Sequence, residues 1–483
     1  MPLSFRDPSG CLAHIDGRLI RVLSAAGAEG LRAFLASPSA RRLTDAGSLV
    51  TTRLLDADEA GRLIRRSDAA RLFTEGEPLL AAEHERVTFQ SFPYEWPPEM
   101  LHAAAALTLD VAEAALADGF GLKDATPFNV LFRGARPVFI DLTSFERRDP
   151  HDPTWLPYAQ FVRTFLLPLL AARHFRLRLD QIFTTRREGL EPEEVYRLCS
   201  RAQRLRAPFL THVSAPVWLA RRDRPEKTGA YRARRLSDPA RARFVLEQLF
   251  KRLRRALARA APSHARASVW SGYTAGERNF NERYFASKQS FVAAALREHR
   301  PQRVLDVGCN TGHFSRLAAE AGASVVAIDT DEAVVGAAWR EAAARSLEVL
   351  PLAVSLTQPS PATGWRNLEC ASFLERARGA FDAVLMLAVI HHLLVTERVP
   401  LPLVFDLAAE LTTDLLIAEF VPTDDPMFRR LARGRDDLFT HLTREYFEAT
   451  CGEHFAVVES RRLDDSGRWI YLLRKKGSTT ADV

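Results

Sequence analysis

A glycine-bearing turn between two apolar strands constrains this chain more than any other feature. Residues 304–307 form a largely apolar run, and the turn 308–312 (Gly-Cys-Asn-Thr-Gly) follows directly. A helical pattern over 313–321 and a second apolar run, Ser324–Asp329, come next. Glycine permits a sharp backbone turn and a close approach of helix and ligand. The sequence therefore predicts an α/β fold with a βαβ unit that binds a nucleotide at this turn.

The turn lacks the glycine spacing that binds a dinucleotide. In that fingerprint the second and third glycines would stand where the chain has Asn310 and His313. Asp306, at the start of the turn, would repel a pyrophosphate but suits an ammonium group. Asp329 ends the second strand about 20 residues after the first glycine, where a carboxylate can bind both ribose hydroxyls. These carboxylates favour a ligand with a ribose and a cationic amino-acid group.

Segments 306–312 and 325–329 together resemble motifs I and II of the class I S-adenosylmethionine-dependent methyltransferases. The resemblance implies a Rossmann-like sheet of seven mostly parallel strands with a reversed last hairpin, within residues 266–483. Another doubly wound fold with a fortuitous turn is the alternative. The resemblance also implies S-adenosylmethionine as cofactor, bound at Asp306, Gly308, Cys309, Asn310, Gly312 and Asp329.

A later apolar run carries the candidate catalytic residues. Segment 381–392 resembles motif IV of the same family, and its strand 383–387 is continuously apolar, as in a central parallel strand. His391 and His392 follow, and either could act as general base because histidine titrates near neutral pH. The alternative is that one of them packs beneath the site. Glu419, after the fifth predicted strand, is a further candidate on the acceptor side.

The contacts to adenine are not evident from the sequence. The third predicted strand, 349–354, is followed by Ser-Leu-Thr, without the acidic or amide residue common at this point in the family. Trp365 and Phe373 are candidates for stacking on the ring, or else core residues. A helix predicted over 281–298 precedes the first strand, and helices in this position commonly cover the cofactor. Tyr273 and Lys288 are therefore candidate lid residues.

Composition limits the cellular setting. The chain has 483 residues, 47% of them hydrophobic, enough for two or three domains. Its five cysteines are widely spread without a C-x-x-C pair, which favours neither a disulfide framework nor a zinc site. The longest apolar stretch, near 164–172, is too short to span a bilayer, and the start lacks a signal sequence. We therefore expect a cytoplasmic protein without a membrane span.

Basic residues concentrate between 221 and 265, and the net charge is +6. Contact with an anionic partner, such as nucleic acid or a phosphorylated substrate, is one interpretation. The other is a solvated helical linker whose apolar positions recur at helical spacing: Phe244, Leu246, Leu249, Phe250, Leu253 and Leu257. No nucleic-acid module and no nucleobase-methylation motif stands out. The acceptor is thus expected to be a small molecule or glycan rather than nucleic acid.

Residues 1–220 contain a second motif. Asp124 and Asn129 flank a loop, and two short strands, 130–132 and 137–140, lead to Asp141. The pattern resembles the catalytic loop and metal-binding Asp of the protein kinase and aminoglycoside phosphotransferase superfamily. The resemblance implies an α+β domain in which Asp124 orients a hydroxyl while Asn129 and Asp141 hold Mg²⁺ for ATP. A hairpin whose Asp and Asn cap turns is the alternative.

The kinase-like match is incomplete. No lysine precedes Lys123, no clear glycine-rich loop is present, and Phe-Gly does not follow Asp141. This half is expected to bind ATP, to recognise the acceptor or a nucleotide without chemistry, or to serve as a scaffold. With segment 93–96 (Pro-Tyr-Glu-Trp), the arrangement resembles a bacterial two-domain methyltransferase family, some members of which are associated with nodulation. The predicted function is methyl transfer to an unidentified acceptor, or alternatively an ATP-binding pseudokinase with a regulatory methyltransferase half.

Overall fold

The structure is a computed structural model that describes residues 6–73, 79–221, 235–263 and 282–477. The candidate lid residue Tyr273 lies outside these residues, as does most of the basic cluster 232–235. The bounds of the strands and helices below therefore refer to the described part of the chain.

The strands are β1 (Gly10–Ile15), β2 (Arg18–Ser24), β3 (Thr52–Leu54), β4 (Leu79–His84), β5 (Phe120–Leu122), β6 (Val130–Arg133), β7 (Arg136–Phe139), β8 (Phe145–Arg147), β9 (Arg303–Val307), β10 (Ser324–Asp329), β11 (Val349–Ala353), β12 (Phe381–Met386), β13 (Thr412–Phe420), β14 (Phe455–Arg462) and β15 (Trp469–Lys475).

The helices are α1 (Ala25–Leu35), α2 (Pro38–Asp45), α3 (Ala57–Arg65), α4 (Pro98–Ala117), α5 (Tyr158–Phe161), α6 (Leu167–Phe175), α7 (Leu179–Phe183), α8 (Pro192–Leu198), α9 (Arg201–Arg204), α10 (Ala215–Ala220), α11 (Pro239–Ala260), α12 (Glu282–His299), α13 (His313–Glu320), α14 (Glu332–Arg345), α15 (Phe373–Ala377), α16 (Ile390–Val395), α17 (Leu401–Leu411), α18 (Pro426–Ala432) and α19 (Arg444–Cys451).

The C-terminal half contains one seven-stranded sheet in the order β11-β10-β9-β12-β13-β15-β14. The first five strands in this order are parallel, and β15 is antiparallel to both β13 and β14. The α/β fold and the mostly parallel sheet with a reversed last hairpin are thus as predicted. The strand order reverses between β9 and β12, and a crevice for ligands opens at the carboxyl edge of such a switch.

The strand bounds agree with the sequence pattern because the central strands are covered on both faces. The side chains of Val384, Leu385 and Met386 in β12 are all fully buried. A strand covered by helices on both faces is apolar at most positions, so it is visible as a nearly continuous apolar run. The helix predicted over 313–321 is α13, and Gly322 follows it with a positive φ, as expected after a helix C-terminus.

The N-terminal half is built from an antiparallel sheet and a helical part. The sheet has the order β1-β2-β4-β3, and the hairpin β6–β7 carries the second motif. Among the described helices, α4 is the one whose length and composition would suffice to cross a membrane, and over half of that stretch is buried inside the protein. It contacts α11, β5 and β7, so it serves as the central core helix of this half.

The predicted basic linker is largely the helix α11, which packs onto α4. Its buried apolar positions are Leu246, Phe250, Leu253 and Leu257. Phe244 is 59% exposed, contrary to the predicted inward face, because two residues along a helix correspond to about 200° of rotation from Leu246. Arg254 donates hydrogen bonds to both Asp110 and Glu113 of α4. The helix therefore belongs to the N-terminal core.

The two halves share a continuous interior. One hydrophobic cluster includes Trp96 and Phe132 from the first half together with Leu305 and Phe373 from the second. An ion pair also joins the two halves. Arg376 of α15 pairs with Glu95 of the first half, whose side chain is completely buried. Because each half covers apolar surface of the other, we expect neither to be stable in the isolated form.

Candidate functional site

A cavity of about 340 Å³ opens at the carboxyl edge of the parallel strands, beside the reversal of strand order. Its wall combines the turn after β9, the ends of β10 and β11, the start of α16 and one face of α12. Five of the six residues predicted to bind a cofactor line it: Asp306, Gly308, Cys309, Asn310 and Asp329.

The glycines of the turn have different roles. Gly308 has a φ of +72°, and a side chain there would bring Cβ within 3.2 Å of Val389 Cγ2, so the position requires glycine. Gly312 precedes α13 with a φ of +85° and is not part of the cavity wall. A Cβ at Gly312 would lie 3.1 Å from Cβ of Ala338 in α14. Gly312 thus permits close helix packing, while Gly308 shapes the cavity.

Asp329 is positioned by the backbone of the turn. The N–H of Asn310 donates to Oδ2 and the N–H of Asp331 donates to Oδ1, each at 3.0 Å. Burial raises the pKa of Asp329. A carboxylate has about four acceptor positions, so these N–H groups leave acceptor capacity for a hydroxyl group in the cavity. The geometry suits the binding of a vicinal diol such as a ribose.

Asp306 is a buried carboxylate at the opposite side of the turn. It is 2% exposed, and the hydroxyl of Ser315 donates to Oδ2 at 2.6 Å. Burial raises its pKa to about 6, although the hydroxyl of Ser315 and the cation of Lys288 favour the ionised form. Near neutral pH the group is therefore an anion with limited hydration, which attracts a ligand ammonium strongly.

Glu419 does not lie at the acceptor side of the cavity, contrary to the prediction. Its carboxylate is fully buried, with Lys288 Nζ at 2.6 Å, and it accepts hydrogen bonds from Tyr284 at 2.6 Å and Arg468 at 3.2 Å. Burial alone would raise the pKa of Glu419, but the two cations outweigh it and lower the pKa to about 2. Arg468 is held in turn by Asp425. Glu419 therefore organises a buried charge cluster rather than receiving a proton.

The two predicted histidines lie in different surroundings. His392 lines the cavity, whereas His391 is 2% exposed and lies outside it, with neither ring nitrogen hydrogen-bonded. Burial and the cation of Arg468 lower the pKa of His392, which favours the neutral imidazole near pH 7. Of the two candidates, His392 is the one whose side chain lines the cavity.

The segment that follows β11 also lines the cavity, with Val354, Ser355, Leu356 and Thr357. Thr357 donates a hydrogen bond to Glu397 at 3.2 Å, and this carboxylate also lines the cavity. The aromatic candidates for adenine do not reach it, since Trp365 is 63% exposed and Phe373 is a core residue. Glu397 was missed because it follows α16, and no local pattern indicates that this helix lies across the site.

The second motif also lines a cavity, of about 760 Å³, in the N-terminal half. Asp124, Asn129 and Asp141 are all part of its wall, and Glu369 of the C-terminal half completes one side. Burial and the charge of Asp141 raise the pKa of Asp124. The side-chain amide nitrogen of Asn129 is buried without a hydrogen-bond partner. The structure therefore brings these three predicted residues together around a space large enough for a ligand.

Arg21 of β2 is a residue of this cavity that the sequence reasoning missed. It is 6% exposed and donates hydrogen bonds to His84 and to Thr143, each at 3.1 Å. Its guanidinium also lies 3.5 Å from Asp141. An arginine flanked by apolar residues on both sides within a strand was the available signal, since such a charge is rarely buried without a partner.

Comparison with known proteins agrees with this architecture. A family model described as a methyltransferase domain matches residues 245–414. The nodulation protein NoeA of Rhizobium meliloti (strain 1021) is 33% identical over 482 residues, which cover 98% of this chain and 95% of that protein.

Solved structures show weaker likenesses, over about two fifths of the chain. The N-methyltransferase NodS of Bradyrhizobium japonicum WM9 is 16% identical. The match covers 41% of this chain and 99% of that one, with a TM-score of 0.30. Magnesium protoporphyrin IX methyltransferase of Synechocystis PCC 6803, with bound SAH, is 20% identical. The match covers 43% of this chain and 92% of that one, with a TM-score of 0.31. The bifunctional kinase-methyltransferase WbdD is 19% identical. The match covers 44% of this chain and 42% of that one, with a TM-score of 0.28.

Proposed function

Since this chain belongs to the family of the nodulation protein NoeA and contains a methyltransferase domain, we propose that it transfers a methyl group from S-adenosylmethionine to an acceptor. One observation carries the proposal. The carboxylates of Asp306 and Asp329 converge with the turn at Gly308 on a single cavity at the switch of the parallel sheet. This arrangement matches the charges and hydroxyls of that donor.

The residues of the cavity fit the separate parts of the donor. Asp306 faces the cavity as a buried anion and suits the ammonium group, while Asp329 suits the ribose hydroxyls. The segment 355–357 is left for the adenine, with hydroxyl groups at two of its three positions. The thiol of Cys309 is buried, and burial raises its pKa well above the usual value, so it contributes packing rather than charge.

Bound S-adenosylmethionine would supply an electrophilic methyl carbon attached to a positively charged sulfur. The protein then has mainly to align the acceptor with this carbon, and such positioning contributes roughly 7–11 kcal/mol in favourable cases. His392 lines the cavity and its lowered pKa favours the neutral imidazole, so we propose it as the group that takes the proton the acceptor loses. We propose a small molecule or glycan as acceptor and the cytoplasm as the site of action.

The direct test is calorimetric titration of the full chain with S-adenosylmethionine and with its demethylated product. Binding of one molecule per chain is expected for each, and a folded protein that binds neither would refute the proposal. The acceptor can then be sought by incubating metabolite extracts with donor carrying a labelled methyl group. The Asp306→Ala variant is the control, since it should not label the same compound.

Donor affinity is expected to fall in acid because of Asp306. Burial raises its pKa to about 6, and only the ionised carboxylate attracts the donor's ammonium. The dissociation constant of the wild type should therefore rise as pH falls below 6, by up to about tenfold per unit. Titrations between pH 5 and pH 8 would show this, and Asp306→Asn should bind more weakly with a flatter profile. An unchanged acid dependence in that variant would exclude Asp306 as its source.

The N-terminal cavity supports a second candidate function, the binding of ATP with Mg²⁺. The side-chain oxygen of Asn129 and the partly exposed carboxylate of Asp141 could hold a cation, with Asp124 nearby. Mg²⁺ commonly takes one or two protein oxygens and completes its shell with water and phosphates. The described residues contain no cluster of three or more His, Cys, Asp or Glu for a metal. ATP binding would make the protein bifunctional or give its methyltransferase half a regulatory role.

Asp141→Asn is expected to weaken magnesium-dependent ATP binding about tenfold, because it removes the charged oxygen ligand. Fluorescence titration with a labelled ATP, with and without Mg²⁺, measures the effect. Asp16→Asn is the matched control, since Asp16 lies in the turn between β1 and β2 and outside the cavity. If the wild type and both variants bound ATP with equal affinity, or if none of them bound ATP, the result would instead favour a module that recognises the acceptor.

A further inference from the structure

The donor cavity contains a buried pair of opposite charges. Lys288 of α12 and Asp306 at the end of β9 both line it, and their side chains are almost completely enclosed. The two groups are close enough that the cation of Lys288 favours the ionised form of Asp306. A ligand in this cavity thus meets an ammonium group and a carboxylate beside each other.

Lys288 is held in place from behind. Glu419 lies 2.6 Å from its Nζ, and Glu419 is itself fixed by Tyr284 and Arg468. A lysine ammonium has three N–H donors. Within the described part of the chain, Glu419 is the one anion in salt-bridge contact with Lys288. N–H donors of Lys288 therefore remain for an anionic group of a ligand in the cavity.

We propose that Lys288 binds the carboxylate of the donor's amino-acid group while Asp306 binds its ammonium. The inference rests on the proposed function, because it places S-adenosylmethionine in this cavity. An α-amino acid carries both charges on neighbouring atoms, so a buried cation beside a buried anion is complementary to it. Exclusion of water strengthens both contacts. Lys288 is thus a specificity-determining residue that selects donors with an intact amino-acid group, rather than a lid residue.

A purely structural role for Lys288 makes a different prediction. If the lysine only neutralised Glu419, its loss would weaken every ligand equally through a disturbed cavity. If it binds the carboxylate, its loss would weaken only ligands that carry one. The discriminating quantity is therefore the ratio of two dissociation constants, for S-adenosylmethionine and for its decarboxylated form, measured on the same protein.

The experiment measures this ratio by calorimetry for the full-length wild type, Lys288→Met and Lys288→Arg. The wild type is expected to prefer the carboxylate-bearing donor by about tenfold, as for a hydrogen bond between charged groups. Lys288→Met should bind both molecules almost equally, and Lys288→Arg should keep part of the preference. Lys251→Met, on the exposed face of α11, is the control and should match the wild type.

Removal of Lys288 alone leaves Glu419 without one of its cations, so the single variant could lose stability. The double variant Lys288→Met with Glu419→Gln removes both charges together and is the second test protein. A preference that persists unchanged in either folded variant would overturn the inference while the proposed function stands. Failure of the folded wild type to bind either molecule would overturn both.

Discussion

Glu419→Gln is expected to lower the free energy of unfolding by about 3–5 kcal/mol, the usual cost of leaving a buried charge without its partner. Glu419 is completely buried between Lys288 and Arg468, which are each 6% exposed in their side chains. Glutamine keeps the shape of the side chain but not its charge. Arg468 retains Asp425, whereas Lys288 has no second carboxylate at salt-bridge distance among the described residues. Urea denaturation followed by circular dichroism measures the difference.

Glu410→Gln is the matched control for this prediction. Glu410 pairs with Arg378 at the surface, where both side chains are at least half exposed, so the loss should stay below about 1 kcal/mol. The pH dependence gives a second check. The pKa of Glu419 is lowered from 4.5 to about 2, so its contribution is complete above pH 4.5 and is lost as pH falls towards 2. A Glu419→Gln protein as stable as the control would show that the cluster is not stabilising.

Asp329→Ala is expected to weaken S-adenosylmethionine binding about 100-fold, which corresponds to about 3 kcal/mol. The carboxylate would lose the ribose hydroxyls, and each hydrogen bond to a charged group contributes about 1.5–3 kcal/mol. The variant also leaves the N–H groups of Asn310 and Asp331 without their acceptor, which loosens the turn. Calorimetry on the full chain measures the dissociation constant.

Asp331→Asn is the control for the donor-binding prediction. Asp331 lies two residues from Asp329 but outside the cavity, where its side chain accepts from the N–H of Ala333 at the start of α14. Asparagine caps helices about as well as aspartate, so both stability and donor affinity should remain unchanged. If Asp329→Ala bound the donor as well as this control, the ribose would have to lie elsewhere.

The shared interior changes how the N-terminal half is understood. Segment 93–96 contributes Glu95, which is buried against Arg376 of the methyltransferase half, and Trp96, which donates a hydrogen bond to Ser91 at 2.9 Å. Ser360, in the segment that runs on from the donor cavity, also donates to Glu95. This short motif is therefore a junction between the halves.

Elements that depend on local pattern could be predicted from the sequence. The bounds of β10 are those of the apolar run, and the ends of β9, β12 and α13 lie within two residues of the predicted segments. The candidate donor residues were also evident, because a glycine turn and a strand-ending carboxylate are adjacent to the strands that position them. Phe244 shows the limit, since its apolar character did not reveal which face of α11 it occupies.

Residues whose surroundings come from distant segments could not be predicted. Glu419 looked like an acceptor-side group because it lies near the end of a parallel strand. Its side chain is instead enclosed by Tyr284 and Lys288, from α12 more than 130 positions earlier, and by Arg468. His391 and His392 are adjacent in sequence, yet the packing of α16 directs one into the core and the other into the cavity.

The sequence by itself determined the α/β sheet, its glycine turn and the two carboxylates, Asp306 and Asp329, that line the cavity at that turn. These features depend on strand burial and turn geometry, which are properties of short segments. The tertiary structure alone decided which charged groups meet. It placed Lys288 beside Asp306, Glu419 behind Lys288, and Glu95 against Arg376. The reason is physical: a buried charge must have a partner, and in this fold the partners come from elements far apart along the chain.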